Sequence, residues 1–288
     1  MRKFKENLAH IIFFIAALTS ILSVLLICVF LFVNGIPAMK EIGFFSFLTG
    51  TKWAPNNAPA SFGILPMIVG SIYITAGAIV VGVPIGILTA VFMARFCPSN
   101  IYGILKSAVD LLAGIPSVVY GFFGLVVLVP FVRTLFYSFE CNGSSILTAS
   151  LLLGLMILPT IIGVSEAAIR AVPDSYYEGA LALGATHERS VFFTILPAAK
   201  SGIMAGVILG IGRAIGETMA VIMVAGNQAR IPDSLFQGVR TLTSNIVIEM
   251  GYAADLHREA LIATGVVLFV FILIINLLFS LLKRRNEV

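Results

Sequence analysis

Charge is what this 288-residue sequence has least of. Asp, Glu, Lys and Arg make up 11% of it, against about 25% in a soluble domain. With 59% hydrophobic residues and a mean hydropathy of +1.06, that scarcity excludes a large soluble core. Cysteine is scarce as well: Cys28, Cys97 and Cys141 are too few and too scattered for a disulfide framework or a metal cluster. No basic run with interleaved aromatics points to nucleic acid, so the net charge of +4 reflects membrane topology. No Gly-x-x-x-x-Gly-Lys-Ser/Thr phosphate loop occurs, so any ATP hydrolysis must come from another polypeptide. Metal-ligand spacing, a nucleophile elbow and paired carboxylates at membrane depth are missing too, which argues against an intramembrane enzyme. His10, His187 and His257 fall near span ends or in loops and are expected at the surface. Low-complexity segments and internal repeats are also missing.

Long apolar runs are what is there. A spanning helix needs about 20 mostly apolar residues, and six stretches qualify: Ile11–Val33, Gly63–Ala94, Leu111–Val132, Ser144–Val164, Gly202–Gly226 and Ala260–Leu282. The fold class is therefore all-α, a polytopic membrane protein with six transmembrane helices. The first run is too long for the apolar region of a signal peptide and no small-x-small site follows it, so it is expected to stay as a span. Gly63–Ala94 is long for one helix, and Pro66, Gly82, Pro84 and Gly86 predict a kink or an interfacial lead-in. We divide the chain into an N-terminal helix with its outer loop (1–64), a membrane domain (65–282) and a tail (283–288). Orientation follows from Lys and Arg. One side carries Arg2, Lys3, Lys5, Arg95, Lys106, Arg170, Arg189, Lys200, Lys283, Arg284 and Arg285, and the other only Lys40, Lys52, Arg133, Arg230, Arg240 and Arg258. Both termini, and the polar island Pro173–Lys200, are thus expected on the cytoplasmic side.

The island reads as two short helices meeting at Gly184. Ser175 followed by Glu178 is a capping-box pattern, which starts a helix at Asp174 or Ser175. Gly184 suits the position just past its end, Thr186 can cap the second helix, and Pro197 closes that helix. One reading makes this an ordinary surface loop with Glu178 as a cap. The other makes it a docking surface for a soluble partner.

Arg213 and Glu217 are the only charges deep inside a predicted span. Arg213 lies 11 residues past Gly202, roughly 17 Å at 1.5 Å per residue, near the centre of a hydrocarbon core about 30 Å thick. A charge there costs about 2.5–3.5 kcal/mol. On a continuous helix, Gly202, Gly206, Gly210, Arg213 and Glu217 share one arc. The glycines either admit a neighbouring backbone or leave room for a path. The charges are either a structural i,i+4 ion pair or a site in which Arg213 offers a guanidinium fork to a tetrahedral oxyanion. Glu217 would accept a hydrogen bond from a protonated oxyanion and repel fully ionised sulfate. Gly114, Pro116 and Ser117 break or kink the third span, either for packing or to free backbone groups, and Ser117 and Tyr120 are candidates for the same path.

These segments carry a resemblance. Glu178, Ala180, Gly184, Leu196 and Pro197 match the coupling motif of ABC-importer permeases, with Gly179 and Thr194 departing from it; Thr186 completes the candidate coupling set. Phe47–Gly50 through Trp53-x-Pro55, Leu112–Gly121, Gly212–Val221, Gly226-Asn227 and Arg240–Leu242 resemble the PstC-type permease subunits of phosphate-specific ABC importers. The resemblance implies a type I importer in a bacterial cytoplasmic membrane. A sister permease would complete a heterodimer, and two ATP-binding subunits would hold ATP and Mg, leaving no cofactor in this chain. An extracytoplasmic phosphate-binding protein would deliver phosphate to the outer loops. Trp53 with Phe44, Phe45 and Phe47 is expected to anchor at the lipid interface. Sulfate or molybdate as cargo, and a scaffold without transport, are the alternatives.

Overall fold

A computed structural model of the chain describes residues 2–139 and 141–285. Positions 286–288 of the predicted tail lie outside the described residues, while 283–285 continue the last helix. The elements are α1 (Arg2–Ile42), α2 (Phe44–Thr49), a hairpin of β1 (Trp53–Ala54) and β2 (Ser61–Phe62), α3 (Leu65–Val91), α4 (Ser99–Gly114), α5 (Ser117–Phe123), α6 (Val129–Leu135), α7 (Ile146–Arg170), α8 (Asp174–Ala182), α9 (His187–Ser190), α10 (Leu196–Gly216), α11 (Met219–Val224), α12 (Leu242–Glu249) and α13 (Asp255–Arg285). Six helical stretches are long and apolar enough to cross a membrane: His10–Ile42, Leu65–Phe96, Ser117–Leu135, Ile146–Arg170, His187–Gly216 and Asp255–Leu278.

Their number matches the sequence reading; three of their shapes do not. Leu65–Phe96 is one continuous helix despite Pro84, with a π turn at Phe92–Phe96 at its end. The third span starts at Ser117, because Ile115 and Pro116 are extended and Leu111–Gly114 belongs to α4. The fifth span is displaced most, from the predicted 202–226 to His187–Gly216. Pro197 does not close a helix there. A π turn at Val191–Ile195 precedes it, and Leu196 N–H reaches back to Val191 O. The wider turn shifts the hydrogen-bond register, so the missing proline N–H and the usual ring clash are accommodated. Pro130 repeats the arrangement, two residues beyond a π turn at Gly124–Leu128.

The core is organised around α7. Ser145 caps it, its hydroxyl accepting from Thr148 N–H at 3.3 Å. Buried Ile146, Leu152, Leu153, Met156, Ile157 and Ile161 fill the space between α7 and its neighbours. On α10, a Cβ added at Gly202 would stand 2.3 Å from Ala168 Cβ, and one at Gly210 2.8 Å from Ile161 Cγ1. The glycine stripe thus serves close helix approach and does not line a path. α1 packs along α13, with Phe32 edge-on to Phe269 at 6.0 Å, and its side chains from Ile11 to Val33 are largely exposed, as lipid contact requires.

Candidate functional site

In the island, α8 begins at Asp174 with Pro173 before it and no side-chain cap. Ser175 is already inside the helix, so the expected capping box does not form. Glu178 is exposed and has no hydrogen bond or ion pair among the described residues. The end of α8 follows expectation. Gly184 has φ +84°, Ala185 N–H donates to Ala180 O at 3.1 Å and Gly184 N–H to Leu181 O at 2.9 Å, the two bonds of a Schellman motif. Thr186 Oγ1 accepts from Arg189 N–H at 3.4 Å and caps α9. The two halves are tied by Tyr177 Oη to His187 Nδ1 at 2.8 Å, and Phe96 meets the same imidazole edge-on at 4.8 Å. His187 is therefore half-buried between rings, not a surface residue. Leu183 is 91% and Phe193 77% exposed, leaving an apolar tip on a segment that leads without interruption into α10. Ala180 and Leu196 are half-buried and Pro197 is exposed beside it.

At the other end of α10 the helix stops at Gly216. Glu217 is extended, at φ −69° and ψ 132°, so it is not an i,i+4 partner of Arg213. The expected ion pair is absent: no hydrogen bond or ion pair engages the Arg213 guanidinium among the described residues. Glu217 Oε1 instead accepts from Ala220 N–H at 3.1 Å, satisfying an orphan donor of α11, and Thr243 Oγ1 donates to Glu217 O at 3.1 Å. Within its own span Arg213 lies three residues before the end at Gly216. Gly202 lies against Ala168 and Gly210 against Ile157 and Ile161, so Arg213, about 4.5 Å further on, is level with the middle of α7.

α5 packs against α11, where a Cβ on Gly121 would be 3.0 Å from Ala220 Cα. This brings Tyr120 to the break, within electrostatic reach of Arg213. Tyr120 is buried, and its hydroxyl donates to Leu112 O at 2.9 Å across the Ile115–Pro116 break. Ser117 opens α5 half-buried, and no contact links it to Arg213 or Glu217. Of the four candidates, Tyr120 alone interacts electrostatically with Arg213, and among the described residues Glu217 bonds to Ala220 and Thr243 instead.

Two buried ionic clusters were not foreseen. Glu249, its side chain 7% exposed, receives Arg240 Nη1 at 2.6 Å and His257 Nε2 at 2.9 Å, and Trp53 Nε1 donates to it at 2.7 Å. His257 is thus a core residue, and Trp53 and fully buried Phe47 hold the segment between α1 and α3 to the bundle. Only Phe44 and Phe45 are exposed as a lipid anchor would be. The second cluster centres on Glu166, whose side chain is 3% exposed. Its carboxylate takes the Tyr102 hydroxyl at 2.6 Å, Arg170 Nε at 2.9 Å and Lys106 Nζ at 3.3 Å. The bond to Glu166, aided by desolvation, raises the Tyr102 pKa above the usual phenol value. The Glu166-x-x-x-Arg170 spacing was the one visible signal. No cluster of three His, Cys, Asp or Glu that could hold a metal occurs among the described residues.

Comparison with known proteins agrees with this architecture. Residues 82–288 match the family model described as binding-protein-dependent transport system inner membrane component. A probable ABC transporter permease protein, YqgH, of Bacillus subtilis is 37% identical over 291 residues, covering 100% of this chain and 94% of that protein. The phosphate transport system permease protein PstC of Mesorhizobium japonicum is 36% identical over 267 residues, covering 86% and 81%. Among solved structures, a chain of a bacterial ABC transporter involved in import of the acidic polysaccharide alginate superposes with a TM-score of 0.67 at 15% identity, covering 99% of each chain; that likeness speaks for the fold alone. Six membrane-crossing helices, an exposed helix–Gly–helix island and a family match over well over half the length have one reading: this chain belongs to the binding-protein-dependent transport system inner membrane components, multi-pass permeases with the type I ABC importer fold.

Proposed function

We propose that the chain is the permease subunit through which inorganic phosphate enters the cytoplasm, paired with a sister permease. Two ATP-binding subunits dock on the island through exposed Glu178 and the apolar tip, and they hold the ATP and Mg; this chain binds no cofactor. An extracytoplasmic phosphate-binding protein meets the outer loops, and both termini are cytoplasmic. The observation that carries the reading is Arg213: a guanidinium with no hydrogen bond or ion pair among the described residues, level with the middle of α7, beside a break in its helix. An unpaired charge costs about 2.5–3.5 kcal/mol at that depth, and an arriving oxyanion offsets the cost by accepting its forked donors. Glu217 supplies an acceptor that hydrogen phosphate, which carries a proton, can use and sulfate cannot. The name of the Mesorhizobium japonicum relative supports phosphate as cargo.

The test is uptake of labelled phosphate by the reconstituted complex, with sulfate and molybdate as competitors. Arg213→Ala should assemble normally and lower uptake at least tenfold. Glu217→Gln keeps an acceptor for Ala220 N–H and should let sulfate compete. Normal uptake by well-assembled Arg213→Ala overturns the proposal.

A further inference from the structure

We infer that Glu166 is a positioning residue that locks α4 to the island, so that both walls of the anion path move with the ATP-binding subunits. The inference rests on the functional reading above and adds a residue outside the path itself.

The island reaches the path directly through α9 and α10, the latter carrying Arg213 in its last turn. The opposite wall, Tyr120, stands on α5, and α5 is separated from the island by the whole of α4 and the Ile115–Pro116 break. α4 holds to α7 by a small apolar cluster of Val109, Ile162 and Met93 and by the Glu166 carboxylate. Tyr102 and Lys106 reach that carboxylate from α4, and Arg170 reaches it from α7 while stacking on the Tyr102 ring at 4.4 Å. Arg170 Nη2 also donates to Met93 O at 2.8 Å, fastening the end of the second span to the same point. From there the ties run to α8. Arg95 bonds Asp174 Oδ1 at 3.4 Å and Ile169 O at 3.3 Å, and only Ala171, Val172 and Pro173 separate α7 from α8. At its other end α4 is coupled to the path by the Tyr120 hydroxyl on Leu112 O. A carboxylate buried to this extent needs all its donors, so α4 and α7, which meet at it, and the end of the second span, tied through Arg170, shift as one body.

The experiment uses the full complex in proteoliposomes with the binding protein. Tyr102→Phe combined with Lys106→Met cuts only the α4 side and leaves Glu166 with Arg170. Basal ATP hydrolysis should stay within twofold of wild type, while phosphate moved per ATP falls at least tenfold. Lys106→Arg alone should retain coupling. Spin labels at Ser107 on α4 and Ala182 on α8 should keep one separation through the nucleotide cycle in wild type and a broadened one in the double variant. Glu166→Gln, nearly isosteric, provides the same readouts should the double variant fail to assemble. Full coupling with an unchanged label separation in either assembled variant overturns the inference. Failure of wild type itself to couple phosphate uptake to ATP would instead overturn the functional proposal.

Discussion

Gly202 is where one methyl group should separate two helices. An alanine there places its Cβ 2.3 Å from Ala168 Cβ, and carbon atoms sit comfortably at about 3.5–4.0 Å. Both atoms are fixed to helix backbones, so no rotamer change relieves the contact, and α10 must move about 1.4 Å from α7. Overpacking of this kind costs about 1–3 kcal/mol, and the stiffness of the pair argues for the upper half. Read as thermal unfolding of the purified complex, Gly202→Ala should lower Tm by about 4–12 °C, at 2–4 °C per kcal/mol for a chain somewhat under this size. Ala168→Gly removes the opposing carbon. The double variant should recover nearly all of the loss, because the helix propensity given up by the new glycine is offset by that gained from the new alanine. A Gly202→Ala protein with unchanged Tm, or a double variant no better than the single, refutes the packing account.

Glu249→Ala leaves Arg240 and His257 buried without their carboxylate and should destabilise by about 3–5 kcal/mol; because Trp53 is the sole tryptophan, the loss of its indole partner should appear as a fluorescence shift before unfolding. Gly184→Ala meets no neighbouring atom but strains a φ of +84°. It should cost about 1 kcal/mol, seen as roughly fivefold faster amide exchange at the end of α8. The Tyr102 pKa is raised in the folded protein, mainly by its bond to Glu166. Its contribution is then fully present below the usual value of 10.0 and is lost as pH rises through the raised one. Tyr102→Phe should therefore lower stability most in the neutral region and flatten the alkaline limb, the two proteins converging as pH passes the raised value.

The span count, the island and its two caps were legible because each is written in local chemistry: apolar length, a glycine past a helix end, a threonine before one. The end of α10 was not, since apolar residues continue to Val224 and hide the stop at Gly216 and the cap that Glu217 makes for α11. Pro197 misled for a related reason. A proline signals a lost N–H, but the π turn that absorbs it depends on neighbouring turns that no residue type announces. The pairing of Arg213 with Glu217 followed from a helix that does not exist at that point. Glu249 was invisible altogether, as Trp53 lies 196 residues away from it in the chain, and its partners share no periodicity. Close approach along Gly202, Gly206 and Gly210 was one of two readings that spacing allowed, and packing against α7 decided between them.

The uninterrupted helix from His187 to Gly216 has a mechanical consequence. His187 and Arg213 are separated by about 39 Å of axis at 1.5 Å per residue. Such a rod is a lever arm: a tilt of about 5° around its island end sweeps Arg213 sideways by about 3 Å, the length of one hydrogen bond. A displacement too small to disturb packing near the fulcrum is enough at the far end to make or break a guanidinium's grip.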